Sequence, residues 1–175
     1  MKYLIIGLGN IGNKYVFTRH NAGFLFLDFI AQSLGIQFLY NKKFNGDISI
    51  SNNLIFFKPC SFMNNAGENI LKLLNYYDIE KEHIVLVYDD LDIKFGEFKI
   101  SKKFPRTHNG VESIILNTKY DSFINVRIGI DKREIKIEGT DYVLSKFDKK
   151  DIELLDSIIF PNIKSELQNI LNFNE

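Results

Sequence analysis

The apolar residues of this chain fall into short runs that switch between the strand and the helix period. Residues 2–8 form a short apolar run of the kind a buried strand shows. A loop bearing glycine and asparagine leads from there to His20. Residues 24–34 then read as a helix, apolar on most sides and closed by Gly35 where a left-handed cap is common. Residues 48–50 and 54–57 pair as a hairpin around an Asn52-Asn53 turn, and a strand-to-helix step follows at Pro59. Ile70, Leu73, Leu74 and Tyr77 give residues 66–77 helical spacing, and 84–88 is the next buried strand, ending in the acids Asp89, Asp90 and Asp92. Val111, Ile114, Ile115 and Thr118 mark another helix, and residues 123–130 alternate as a strand. Ile163, Leu167, Ile170 and Leu171 form the apolar face of a last helix, after Pro161 breaks the preceding turn.

This alternation predicts an α/β fold, a single three-layer domain over residues 1–175 with a mixed, largely parallel twisted sheet flanked by helices. The length of 175 residues suits one domain, and 45% hydrophobic with 14% aromatic content is ample for one core. Ligands of such sheets bind outside the carboxyl ends of the strands. The loop holding Asn10 and His20, the loop holding Met63 and Asn64, and the acidic end at Asp89 should therefore gather on one edge, with His108 opening a helix nearby.

Candidate chemistry sharpens that expectation. Two of the three histidines stand in near-copies of one phrase, His20-Asn21-Ala22-Gly23 and His108-Asn109-Gly110, in segments without a regular apolar period. Histidine exchanges protons near neutral pH, its unperturbed pKa being about 6.5, so the pair points to a hydrolytic or binding site. Asn and Gly at these places support tight turns that aim a side chain outward. Zero net charge and a pI near 6.8 argue against indiscriminate nucleic-acid binding. The average hides an asymmetry: across residues 94–106, Lys94, Lys99, Lys102, Lys103 and Arg106 face the single acid Glu97, a local balance of +4, whereas the chain after Ile137 is net acidic. This basic stripe runs into His108 and suits a polyanionic substrate.

Other classes fall away. The lone Cys60 excludes an internal disulfide framework and any zinc site on paired cysteines, and reads as a structural thiol in a reducing cytoplasm. The first apolar run reaches glycine too soon for a signal peptide, and no run of about 18 apolar residues offers a membrane span. Gly7-Leu8-Gly9-Asn10-Ile11-Gly12 is a literal G-x-G-x-x-G, but residues 13–20 lack a helical apolar face and the acid at the right spacing, Asp28, falls inside a helix, so a dinucleotide site is not expected. A Walker loop fails because Tyr15 stands where Ser or Thr would meet magnesium. Gly-x-Ser-x-Gly and His-Glu-x-x-His are absent.

Five ordered blocks carry a family resemblance over nearly the whole chain. G-L-G-N-x-G-x-x-Y-x-x-T-R-H-N-A-G from Gly7, S-F-M-N-N-A-G from Ser61, Y-D-D-L-D from Tyr88, H-N-G from His108 and V-R-I-G-I from Val126 resemble bacterial peptidyl-tRNA hydrolase, and Tyr142 to Phe147 extends the likeness. The resemblance implies an esterase that cleaves the bond between a peptide and the 3′ end of tRNA, without metal or cofactor. It further implies a cytoplasmic enzyme, expected to be a monomer with no membrane partner. By position it implies that His20 is the catalytic base and Asp89 the acid that orients the imidazole. Asn64 resembles the amide that holds the water or oxyanion, and Asn10 and Asn109 resemble amides that hold the ester end and peptide backbone. Tyr15 and Met63 are expected on the substrate side, His108 as a positioning residue, and Lys99, Arg106 and Arg127 as tRNA-binding candidates. Two departures stand out: Ile11 where the family usually has Pro, and residues 103–107 where it usually has a glycine-rich loop. A noncatalytic RNA-binding relative of the same fold is the alternative, and the joint presence of His20, Asp89, Asn10 and Asn64 favours the enzyme.

Overall fold

The computed structural model describes residues 2–102, 104, 108–120 and 122–172. Along the chain run β1 (Tyr3–Gly7), α1 (Ala22–Leu34), β2 (Leu39–Asn41), β3 (Gly46–Ser51), β4 (Leu54–Pro59), α2 (Ala66–Tyr77), β5 (Ile84–Lys94) and β6 (Phe98–Ser101). They are followed by α3 (Asn109–Thr118), β7 (Ile124–Asp131), α4 (Gly139–Val143), α5 (Lys149–Leu154) and α6 (Phe160–Leu171). All seven strands join one sheet in the order β2-β3-β4-β1-β5-β7-β6. β4, β1, β5 and β7 run parallel in the centre, while β2, β3 and β6 are antiparallel additions at the two edges.

The period-2 alternation of side chains divides the central strands between two cores. Ile5, Phe56, Val85, Val87, Val126 and Ile128 face one way and pack against α1 and α6. Leu4, Ile6, Phe57, Leu86 and Tyr88 face the other way, against α2 and α3. The result is the expected three-layer α/β arrangement. No described helix is long and apolar enough to cross a membrane.

The expected hairpin is present: Ser51 pairs with Leu54 across a two-residue loop in which Asn52 has φ 52°. α1 ends at Gly35 with φ 63°, the left-handed cap. Three expectations need correction. β5 does not stop at Tyr88 but carries its three acids on to Lys94, because β7 pairs alongside it as far as Asp131. β2 and β6 are short edge strands, and their few residues hold no periodicity long enough to announce them. Pro161 does not break the helix. A π-turn over Leu155–Ile159 precedes α6, Phe160 N–H donates to Leu155 O, and Pro161 enters at the first turn, where its missing N–H is no loss.

Candidate active site

Period-2 alternation puts Asp89 on the same face of β5 as Val85 and Val87, the face covered by α1. His20 lies in a 3₁₀ turn, Arg19–Asn21, that leads directly into α1. The close seating of α1 brings the two together. A Cβ on Gly23 would stand 2.1 Å from Val87 O and 2.6 Å from Leu8 N, so only glycine lets the first turn of α1 press onto β1 and β5. The glycine of the His-Asn-Ala-Gly phrase thus serves close packing and not the tight turn anticipated for it.

His20 Nδ1 sits 2.9 Å from both Asp89 oxygens. As the carboxylate can only accept, this nitrogen carries the proton and Nε2 is left with its lone pair. His108 reaches the same carboxylate from the opposite layer, with Nε2 2.9 Å from Asp89 Oδ1. It is the N-cap of α3: its Nδ1 accepts the Val111 N–H at 3.4 Å, so its proton is on Nε2 and is donated to Asp89. The two imidazole rings lie 5.1 Å apart, and His108 packs at 4.9 Å on the buried Tyr88, whose hydroxyl donates to Asn125 Oδ1.

The electrostatics follow from this sharing. Burial disfavours the imidazolium of His20, but the charge and hydrogen bond of Asp89 outweigh it, and the pKa is raised above the usual histidine value. Burial likewise disfavours the Asp89 carboxylate. The two histidines overcome that and hold its carboxyl well below the usual range. Burial raises the Tyr88 phenol most, and keeps it a hydrogen-bond donor. His20, Asp89 and His108 are also the one trio among the described residues whose ligand atoms, all within 4.8 Å of one another, could hold a cation. At 2.9 Å the ring nitrogens and the carboxylate oxygens are already paired with one another as hydrogen bonds, each imidazole N–H donating to Asp89.

Together with Asn109, this trio lines a cleft of about 390 Å³ whose far wall is Glu138, Thr140 and Val143. Asn10 stands on the other side of the His20 turn. Its N–H donates to Asn21 Oδ1 (2.8 Å), its carbonyl accepts from Asn21 Nδ2 (2.9 Å), and its side-chain oxygen accepts the Met63 N–H (2.8 Å). Its own amide NH₂ has no hydrogen-bond partner among the described residues. Met63 is buried, with Sδ where a Cβ on Gly110 would be 2.5 Å away. Asn64 and Asn109 are exposed. Tyr15 is half-buried and meets the exposed Phe62 edge to face.

Lys99 and Arg127 face each other across β6 and β7. Lys99 is exposed, whereas Arg127 is part-buried and donates to Asp90 Oδ2 at 3.3 Å. Lys94 and Lys102 share the exposed stripe. Arg106 and the rest of the departure at 103–107, Phe104 excepted, lie outside the described residues. Phe104 packs edge to face on Phe123.

Two residues with structural work at the site were passed over, although both sit in the quoted phrase. Asn21 locks the Asn10 loop, as above. The buried Arg19 donates to Lys146 O (2.6 Å) and Ser145 Oγ (2.8 Å), lies 3.6 Å from Asp151, and covers the rings of Tyr142 and Phe147. Of the cleft wall at 138–143, only Tyr142 and Val143 fell in a quoted block, and Glu138 and Thr140 were not read as part of a site.

Comparisons with known proteins give the chain its relatives. A family model described as peptidyl-tRNA hydrolase matches residues 4–174. The peptidyl-tRNA hydrolase of Aliarcobacter butzleri is 42% identical over 159 residues, covering 90% of this chain and 86% of that protein. That of Finegoldia magna is 39% identical over 165 residues, covering 90% and 85%. The crystal structure of peptidyl-tRNA hydrolase from Acinetobacter baumannii superposes with a TM-score of 0.83 at 29% identity, covering 98% of this chain and 91% of that one. On motifs, fold and comparisons together, the chain belongs to the peptidyl-tRNA hydrolase family.

Proposed function

We propose that this chain hydrolyses peptidyl-tRNA by general-base catalysis at His20. The observation that carries the reading is the grip of both Asp89 oxygens on His20 Nδ1 at 2.9 Å, which leaves Nε2 as the acceptor at the floor of the cleft. Nε2 takes a proton from water as the water oxygen attacks the ester carbonyl, and Asp89 stabilises the imidazolium that forms. The tetrahedral intermediate then expels the tRNA 3′-end oxygen, which recovers the proton from His20. Products are a peptide acid and free tRNA. Exposed amides of Asn64 and Asn109, with the free NH₂ of Asn10, serve as donors to the oxyanion and the peptide backbone. Tyr15 and Met63 shape the substrate side, Met63 from beneath by holding Asn10. His108 positions Asp89.

Lys99, Arg106 and Arg127 take the acceptor-stem phosphates. No metal or nucleotide cofactor enters these steps. We read it as a monomer, and a tRNA substrate is in keeping with a cytoplasmic enzyme. The deciding experiment is incubation with an N-acetylaminoacyl-tRNA and measurement of released acyl group. Release that disappears with His20→Ala is expected; tRNA binding without release would instead identify a noncatalytic RNA-binding relative.

A further inference from the structure

Consecutive residues of one turn face two different hollows. His20 lines the cleft already described, while Asn21 lines a second depression of about 320 Å³. Asn10 stands at the second hollow too, about nine-tenths buried and with its NH₂ unpartnered among the described residues. The sheet order puts β1, and so the His20 turn, at the middle. β3 and β4, which carry Asp47 and Lys58 of the second hollow, lie to one side, and the basic Arg127 and Lys99 of β7 and β6 lie to the other. A substrate with its ester over His20 has a polyanionic half and a peptide half. The polyanion belongs on the basic side.

The charge of the second hollow is not balanced. Lys58 stands opposite Asp47 in the β3–β4 register, yet it ion-pairs with Asp28 and lies over the Phe38 ring at 4.4 Å. Among the described residues no cation is within ion-pair distance of Asp47. The neighbouring Cys60 thiol feels that field: burial first, then the Asp47 carboxylate, raises its pKa. Ile11, Val16 and Phe24 supply partly exposed apolar walls.

We propose that peptide residues farther from the ester than those held by Asn64 and Asn109 run into this second depression, and that Asp47 gives it a preference for a cationic group on the peptide, either a Lys or Arg side chain or a free α-ammonium. The proposal rests on the reading of His20 as the base over which the ester sits. Asn10 at the mouth offers its NH₂ to a peptide carbonyl, and the chain beyond runs along the apolar walls to Asp47.

The test uses short peptidyl-tRNAs in which one Lys, or Glu in its place, is moved residue by residue away from the ester, each with a free and with an acetylated N-terminus. At one position Lys should exceed Glu in kcat/KM by about two- to fivefold, the range a part-exposed ion pair supplies. Asp47→Asn should bring that ratio to about one, and Asp47→Lys should invert it. Each ratio is taken within one variant, so a partial loss of folded protein does not affect it. A preference tied to the acetylated Lys peptides identifies the side chain as the cation; one tied to the free N-terminus identifies the α-ammonium. A Lys-to-Glu ratio near one at every position together with no advantage of the free over the acetylated N-terminus, or a preference that survives Asp47→Asn, overturns the subsite while leaving His20 as the base. Undiminished cleavage by His20→Ala with the Lys preference intact would overturn the His20 reading and not the subsite.

Discussion

At His20 the geometry sets a pH dependence whose sign can be worked out. The imidazole must be unprotonated to accept the proton of water, and its pKa is raised, so the acidic limb of the kcat/KM profile should lie above about pH 6.5. Asp89→Asn removes the charge that raises the pKa and leaves the burial that lowers it. The limb should then shift to lower pH while turnover falls, and a silent Asp89→Asn beside a damaging Asp90→Asn would reverse the assignment. His20→Ala should cost about 10² to 10⁴ in kcat with tRNA affinity near wild type, read by single-turnover release and filter binding. The same contacts act on folding. A raised His20 pKa gives stability fully present below about pH 6.5 and lost as pH rises through the folded value; the depressed Asp89 gives stability present above about pH 3.9 and lost as pH falls. The difference in melting temperature between wild type and Asp89→Asn should therefore be largest from about pH 4 to 6.5. Both ring nitrogens that meet Asp89 do so as donors, so exhaustive EDTA treatment is expected to leave ester release unchanged.

The elements matter through how closely they seat. α1 carries no capping side chain at Asn21, and its position is set by the contact of Gly23 with β1 and β5. Gly23→Ala should destabilise the fold by about 1–3 kcal/mol, the usual range for overpacking, and should lower kcat more than KM because His20 immediately precedes the displaced helix. Urea melts and steady-state rates on a minimal substrate would show both. Arg19 performs the complementary task of tying the His20 turn to the segment from Tyr142 to Asp151. Removing one partner of a buried ion pair commonly costs about 3–5 kcal/mol. Arg19→Met should cost less than that, because Lys132 also reaches Asp151 at 2.6 Å and would keep its charge paired.

For the molecule as a whole, zero net charge and a polyanionic substrate are reconciled by placement. The exposed lysines at 94, 99 and 102 cluster beyond one edge of the cleft, on and beside the β6–β7 side of the sheet. Apparent tRNA affinity should fall steeply with salt, and Lys99→Glu should flatten the log-log slope by about one unit on a duplex acceptor stem while raising KM for intact peptidyl-tRNA. A minimal substrate without the stem should be almost unaffected. Arg127→Glu should do the same and also lower the melting temperature, since it sets a second carboxylate against the buried Asp90. Equal losses on both substrates would mean that the basic stripe supports the fold instead of tRNA.

Local chemistry carried much of this chain. Short apolar runs marked β1, β4 and β5, because a strand buried on both faces must be apolar throughout, alternation marked β7, and the cap at Gly35 and the turn at Asn52 were readable because left-handed backbone selects a short list of residues. His20 and His108 were likewise visible as titratable groups in segments without an apolar period, and Asp89 as an acid at the end of an apolar run. Their mutual distances were not. That one carboxylate serves two imidazoles depends on α1 and α3 approaching β5 from opposite layers, a relation between segments 69 and 19 residues apart in sequence. β2 and β6 exist through pairing with β3 and β7, which overrides weak local preference. The wall of the cleft at 138–143 and the unbalanced Asp47 are similarly matters of which groups the folded chain brings, or fails to bring, within reach of one another.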